Sequence, residues 1–209
     1  MSLVVVGSVA YDGVETPHGR MERMLGGAAT YISLSASYFT QVRIVAVVGE
    51  DFAPEDTDLL ASRNIDLEGL ERVPGKTFYW AGKYTDDMND RVTLQTDLNV
   101  FAGFQPKLPE SYQNARYLLL GNIQPGLQRS VLEQMKHLRL VGGDTMNFWI
   151  ESRREDLLTL LKQVDLITLN DGEARQLTEK ANLVQAARWI LDRGPHTVVI
   201  KKGEHGAFM

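Results

Sequence analysis

Val164-Asp-Leu-Ile-Thr-Leu-Asn170-Asp-Gly-Glu-Ala-Arg-Gln-Leu177 decides the fold. Residues 164–169 form a short apolar run of strand length, and polar Asn170-Asp-Gly closes it. Helical patterns follow over 171–179 and 183–192, after which residues 197–201, Thr-Val-Val-Ile-Lys, read as a second strand. Working back from Val164, residues 153–163 read as a helix, 138–141 as a strand, 127–137 as a helix and 117–120 as a strand. Repeated strand–helix units predict a parallel sheet with helices on both faces. Working forward, Gly206-Ala-Phe-Met209 opens another strand pattern, from which the natural protein is expected to continue.

The first hundred residues carry the same grammar with an insertion. Residues 3–6 are a β-branched buried strand closed by Gly7, and residues 42–48 are a second one. Between them, Gly26-Gly27-Ala28-Ala29 opens a helical pattern in which Ile32, Ala36 and Phe39 share a face. A helix is expected over 54–63, with Pro54 suited to its first turn. Residues 76–84 and 91–96 are rich in strand formers and flank the turn signal Asp86-Asp-Met-Asn-Asp90, which predicts a hairpin. Pro106 and Pro109 separate that hairpin from the regular alternation beyond.

Composition narrows the function classes. The chain has 209 residues, 44% of them hydrophobic, enough for one globular domain with a small appended element. A net charge of -5 without a basic cluster argues against nucleic acid and, more mildly, against an anionic membrane surface. There is no cysteine, which excludes disulfides and thiolate metal sites. No apolar run approaches the roughly 20 residues of a membrane span. These features read as a soluble, cytoplasmic protein. The four His residues (18, 137, 196 and 205) have no metal-ligand spacing.

Two nucleotide signatures are absent. Gly75-Lys76-Thr77 resembles the end of a P-loop, but Gly69 lies one residue too far upstream and a strand pattern follows. Gly7 is followed by Ser-Val-Ala, not by the glycines of a dinucleotide fingerprint, which places an NAD-dependent oxidoreductase last.

Four other features carry chemistry, each with a plain structural alternative. Gly26-Gly27 at a helix start lets a ligand approach free backbone N–H groups, or is simply a tight loop. Asp12, following the first strand, is placed to accept bonds from two hydroxyls, or belongs to a turn with Gly13. Asn170-Asp-Gly-Glu173 is a capping-box sequence that equally suits Mg²⁺, water and phosphate oxygens. Lys201-Lys202-Gly203-Glu-His-Gly206 at a strand end borders a nucleotide or forms a glycine turn.

The order of these features resembles the ribokinase family, also called the PfkB carbohydrate kinases. Gly26-Gly-Ala-Ala-Thr-Tyr31, Val48-Gly-Glu-Asp51, Asn170-Asp-Gly-Glu-Ala-Arg-Gln-Leu177 and Val199-Ile-Lys-Lys-Gly203 fall where that family has its motifs, across essentially the whole chain. The resemblance implies an α/β, ribokinase-like three-layer sandwich with a mostly parallel sheet. In this reading residues 1–209 form one incomplete domain with a small β-strand lid from about 14–24 and 73–104. It implies ATP-dependent phosphorylation of a primary hydroxyl on a sugar, with ATP and Mg²⁺ as cofactors. A nucleoside kinase of the same fold and a non-catalytic ligand-binding module are the alternatives. By the same resemblance, Asp12, Gly26, Gly27, Tyr31, Asn122 and Asp144 bind the acceptor. Asn170, Lys201, Gly203 and Gly206 bind ATP and its phosphates, and Glu173 serves the metal. Tyr31 stands where the family often has Asn, and Tyr31 and Trp80 are candidates for stacking on a base. The family's Gly-Ala-Gly-Asp segment, with its anion hole and catalytic Asp, occurs nowhere in the 209 residues, so no catalytic residue is assigned and this chain alone is expected to be inactive. The lid's exposed face suggests a homodimer.

Overall fold

A computed structural model describes residues 2–86, 88 and 91–209. The chain divides into two compact units, Met1–Pro109 and Glu110–Met209.

The first unit holds β1 (Ser2–Val6), β2 (Ala10–Thr16), β3 (Gly19–Gly26), α1 (Ala28–Ala36), β4 (Gln41–Val48), α2 (Pro54–Ser62), β5 (Ile65–Arg72), β6 (Phe78–Tyr84) and β7 (Arg91–Asp97). The β-branched runs of β1 and β4 pair in parallel, from Ser2 opposite Gln41 to Val6 opposite Val45, and β5 extends β4 in parallel. Val5, Val9, Ile44, Ala46, Val48, Phe52 and Leu60 build the buried core around them. Such strands, covered on both faces, read as continuous apolar runs. The other four strands form a separate sheet in the order β3-β2-β6-β7. There β2 is antiparallel to β3 and parallel to β6, and β6 is antiparallel to β7.

The second unit holds β8 (Tyr117–Leu120), α3 (Pro125–Gln134), β9 (Leu140–Asp144), α4 (Asn147–Ser152), α5 (Arg154–Leu161), β10 (Leu166–Asn170), α6 (Asp171–Thr178), α7 (Leu183–Leu191), β11 (Thr197–Lys201) and β12 (Ala207–Phe208). Strands β8, β9, β10 and β11 are parallel neighbours, and β12 adds to β11 antiparallel. Strand–helix alternation forces this, because a parallel neighbour requires a crossover.

Several expectations are corrected. The polar stretch after β1 holds β2 and β3, where the resemblance implied strand at about 14–24; Asp12, however, lies within β2 rather than beyond a strand end. A register shift between Asp12 and Val14, and a β3 exposed along most of its length, blur the alternation that marks a strand. β5 was not anticipated, since Asp66, Glu68 and Glu71 dilute its apolar content. The strand expected at 138–141 begins at Leu140 and runs to Asp144, through Gly142 and Gly143, which are poor strand formers. The helix expected at 127–137 is Pro125–Gln134, started by Pro125 and ended at Met135, whose backbone is extended. The hairpin is present as β6 and β7; of its expected turn, residues 87, 89 and 90 lie outside the described residues.

Candidate functional site

The residues singled out by sequence fall into two clusters, one in each unit. In the first, Asp12 of β2 stands in register with Met24 of β3 and Trp80 of β6, and Trp80 with Thr96 of β7. Paired positions share a face, so these four residues form a row across the second sheet. The Asp12 carboxylate lies against Gly26, where an added Cβ would come within 2.2 Å of Oδ2. Only glycine leaves room for it. Burial pushes the Asp12 pKa up from 3.8 to about 6, against the opposing effect of the Gly27 backbone N–H, which donates to the carboxylate.

Gly27 caps α1 at φ 93, a left-handed conformation that favours glycine, and its missing Cβ lets Ser8 O come close. The sequence suggested free N–H donors at this helix start. The structure corrects that: Ala28 N–H donates to Ser8 Oγ at 3.1 Å and Ala29 N–H to Ser8 O at 2.9 Å. Ser8, assigned no role from the sequence, therefore takes two of the N–H donors at this helix start, and the site around Gly27 suits hydroxyl groups through Asp12.

Tyr31, half exposed, donates its hydroxyl to Leu25 O at 3.2 Å. Burial raises its pKa, and the charges of Asp12 and Tyr84 raise it further, which puts Tyr31 beside Asp12 electrostatically. Trp80 folds its ring over Gly82 and donates Nε1–H to Thr93 Oγ1 at 3.3 Å.

The Val48-Gly-Glu-Asp51 string has a structural role. Asp51 Oδ1 accepts from both the N–H and the hydroxyl of Thr77 at 2.7 Å, and Asp51 O accepts from Arg23 at 2.7 Å. The loop after β4 is thereby tied to β3 and to the start of β6. A cavity of about 380 Å³ beside this loop is lined by Tyr11, Arg23, Asp51 and Thr77 among others, but by none of Asp12, Gly26, Gly27 and Tyr31.

In the second unit, Asn122, Asp144, Asn170 and Lys201 all lie at or just past the carboxyl ends of the parallel strands, where ligands bind in open α/β sheets. Asn170 and Glu173 form a full capping box: Glu173 N–H donates to Asn170 Oδ1 and Asn170 N–H to Glu173 Oε2, both at 2.7 Å. Glu173 is buried and one of its oxygens is committed. Among the described residues, no three His, Cys, Asp or Glu side chains gather to hold a metal ion. Lys201, paired in register with Asn170, reaches Asp144 Oδ1 with its ammonium at 3.5 Å, and Thr168 donates its hydroxyl to the same oxygen at 3.0 Å. Beyond Lys201, Gly203 and Gly206 take φ 56 and 78 around a single 3₁₀ turn, closed by Lys202 N–H donating to Gly206 O at 2.8 Å. Space around Gly206 is open, with nothing within 4 Å of where a Cβ would stand.

The Asn122 side chain is engaged by Trp149 of α4 and by Met146 before it. Its Oδ1 accepts from Trp149 Nε1 at 2.9 Å and its Nδ2 faces Met146 Sδ. The link between the two strand ends is Gln128 of α3, fully buried, whose Nε2 donates to Gly121 O and Asp144 O at 2.9 Å each. Sequence reading missed Gln128 and Thr168. Thr168 shares a strand face with Asn170 at i, i+2 and was legible in principle. Gln128 gave no signal, because only the folded helix shows where its amide points.

The chain matches the family described as pfkB family carbohydrate kinase over residues 1–209. It is 30% identical over 212 residues to the cytidine kinase of Thermococcus kodakarensis, covering 100% of this chain and 76% of that one. Among solved structures it is similar to the nucleoside kinase of Burkholderia thailandensis in complex with inosine, with TM-score 0.76, 17% identity, and coverage of 98% of this chain and 71% of that chain. It is likewise similar to the ribokinase of Cryptococcus neoformans in complex with ADP, with TM-score 0.73, 16% identity, and coverage of 99% and 74%. These likenesses establish an α/β, ribokinase-like fold with a largely parallel sheet. No helix among the described residues is long and apolar enough to cross a membrane.

Proposed function

Because this chain belongs to the pfkB family of carbohydrate kinases, we propose that it binds a sugar or sugar-bearing acceptor in its first unit and the phosphates of ATP in its second. The reaction is transfer of the γ-phosphoryl group to a primary hydroxyl of that acceptor. The observation that carries the acceptor half is the Asp12 carboxylate, partly withdrawn from water, held by the Gly27 N–H and given room only by the glycine at 26. Ionised, it accepts hydrogen bonds from two neighbouring hydroxyls and fixes the sugar's orientation. Positioning of this kind is a large part of what a phosphoryl-transfer enzyme supplies.

In the second unit, the Lys201 ammonium and the open backbone at Gly206, in the same glycine turn as Gly203, suit phosphate oxygens, with Asn170 alongside Lys201 in register. Mg²⁺, when bound with ATP, neutralises phosphate charge. With a Glu173 oxygen tied into the capping box, the residues fit an ion held mainly by phosphate oxygens and waters. The sheet formed by β2, β3, β6 and β7, roughly the 14–24 and 73–104 segments, acts in this reading as a lid over the acceptor that keeps water from competing with its hydroxyl. No residue of the chain is assigned as catalytic base.

A nucleoside acceptor is the second reading. The aromatic side chain of Trp80, in the same row as Asp12, and Tyr31 beside it favour a substrate that carries a flat ring. The similarity to a cytidine kinase supports the same choice.

A panel of pentoses, hexoses and nucleosides tests both readings in the full-length protein, by thermal shift and by ADP release from ATP. Transfer to free sugars with Asp12→Asn reducing it supports the first. Transfer confined to nucleosides selects the second. ADP release with no acceptor in the panel, or no ATP binding at all, would overturn the proposal.

A further inference from the structure

We infer that Asp144 is a positioning residue for Lys201, aiming its ammonium at the phosphates of ATP, and is not a group that binds the acceptor. The inference rests on the kinase reading above and deepens its donor half. Asp144 ends β9, Thr168 lies opposite it on β10, and Lys201 ends β11. Neighbouring strands are about 4.8 Å apart, so β9 and β11 are separated by roughly twice that distance. Only a long side chain crosses the intervening strand, and Lys201 does so, ending 3.5 Å from Asp144 Oδ1.

Asp144 is itself held on two sides. The Thr168 hydroxyl donates to the same Oδ1 at 3.0 Å, and the buried Gln128 amide donates to the Asp144 carbonyl at 2.9 Å. The carboxylate is therefore a fixed anchor, with its side chain 19% exposed, and the lysine is the mobile partner, with its side chain 52% exposed. A flexible ammonium left alone samples many rotamers, and binding phosphate from that ensemble costs conformational entropy. Tethered to Asp144, Lys201 is pre-organised on the carboxyl-end face of the sheet. A half-exposed ion pair contributes little to stability. Its value lies in where it leaves the lysine. The side chain of Asn122, the other residue expected near an acceptor, is instead occupied by Trp149 and Met146.

The test uses the full-length protein and MgATP as the probe. Affinity is measured by calorimetry for wild type, Asp144→Asn, Lys201→Met and the double variant, with melting temperatures alongside. Asp144→Asn should weaken MgATP about three- to tenfold, since the isosteric amide loses the charge that draws the ammonium in. Its melting temperature should stay near that of wild type. Lys201→Met should weaken MgATP at least as much, and adding Asp144→Asn to it should change nothing further, because the two residues act through one group. Asp144→Glu, which keeps the charge, should recover part of the loss. Unchanged MgATP affinity in Asp144→Asn, or additive losses in the double variant, would overturn the assignment while leaving the kinase reading intact. A wild-type protein that does not bind MgATP would overturn both.

Discussion

A carboxyl group partly withdrawn from water holds its proton more tightly than a free one, because the charged form loses solvation. Asp12 shows this, with its pKa pushed up to about 6. Ionising it costs more in the folded than in the unfolded chain. Its contribution to stability is therefore complete below its ordinary 3.8 and is lost as pH rises through about 6. Asp12→Asn should melt above wild type at pH 7 to 8, with the gap closing toward pH 4; denaturation scans across that range check it, and a gap independent of pH would disprove the shift. On the proposed function, acceptor affinity falls as pH drops through the same value. Glycines make a second contrast. Gly27→Ala places a Cβ 2.4 Å from Ser8 O at φ 93, and should cost about 1–3 kcal/mol in backbone strain alone, with the clash adding to it. Gly206→Ala, at φ 78 and ψ -140, meets open space and should cost about 1–3 kcal/mol of backbone strain with no clash added. Chemical denaturation compares the two.

Helix ends and strand ends carry the chemistry of the second unit. The α6 capping box satisfies the Asn170 and Glu173 backbone donors, so Asn170→Ala should destabilise the protein by about 0.5–2 kcal/mol. Glu173→Gln should hold its stability, because glutamine also closes a capping box. It separates the two readings of this motif: an unaltered magnesium dependence of phosphoryl transfer would leave Glu173 with a capping role alone. Gln128 spans two elements, its amide serving the carbonyls that end β8 and β9. Gln128→Leu strands those acceptors and should cost about 1–3 kcal/mol by chemical denaturation. This residue also shows why part of the site was illegible. The polar character of Asn170, Asp144 and Lys201 at strand ends could be read from one-dimensional pattern. A glutamine in the second turn of a helix looks like any solvated side chain until the helix is docked.

The second sheet has two edges, β3 and β7. Every residue of β7 is exposed, including Val92 at 62% and Leu94 at 57%. Open edges with apolar side chains favour pairing with another chain. The homodimer expected from the sequence should then assemble through this sheet, and Leu94→Lys should shift sedimentation toward the monomer. A wild-type protein that stays monomeric as concentration rises would remove that expectation.

The sequence alone determined the order of elements wherever burial is two-sided, since β1, β4, β8, β10 and β11 are apolar runs separated by helical periods. It also determined the family resemblance, because motif order survives in one dimension. Periodicity by itself did not mark β2, β3 or β5, whose charged and exposed residues hide the period of two; strand at about 14–24 came only from the resemblance. Tertiary structure alone decided that Asp12 lies within a strand, against the glycine at 26, with a raised pKa. It alone decided that Ser8 occupies two of the helix donors and that Asp144 meets Lys201 across a strand. These are contacts between residues 14 to 57 positions apart or between neighbouring strands, and their distances depend on how elements pack, which no local pattern encodes.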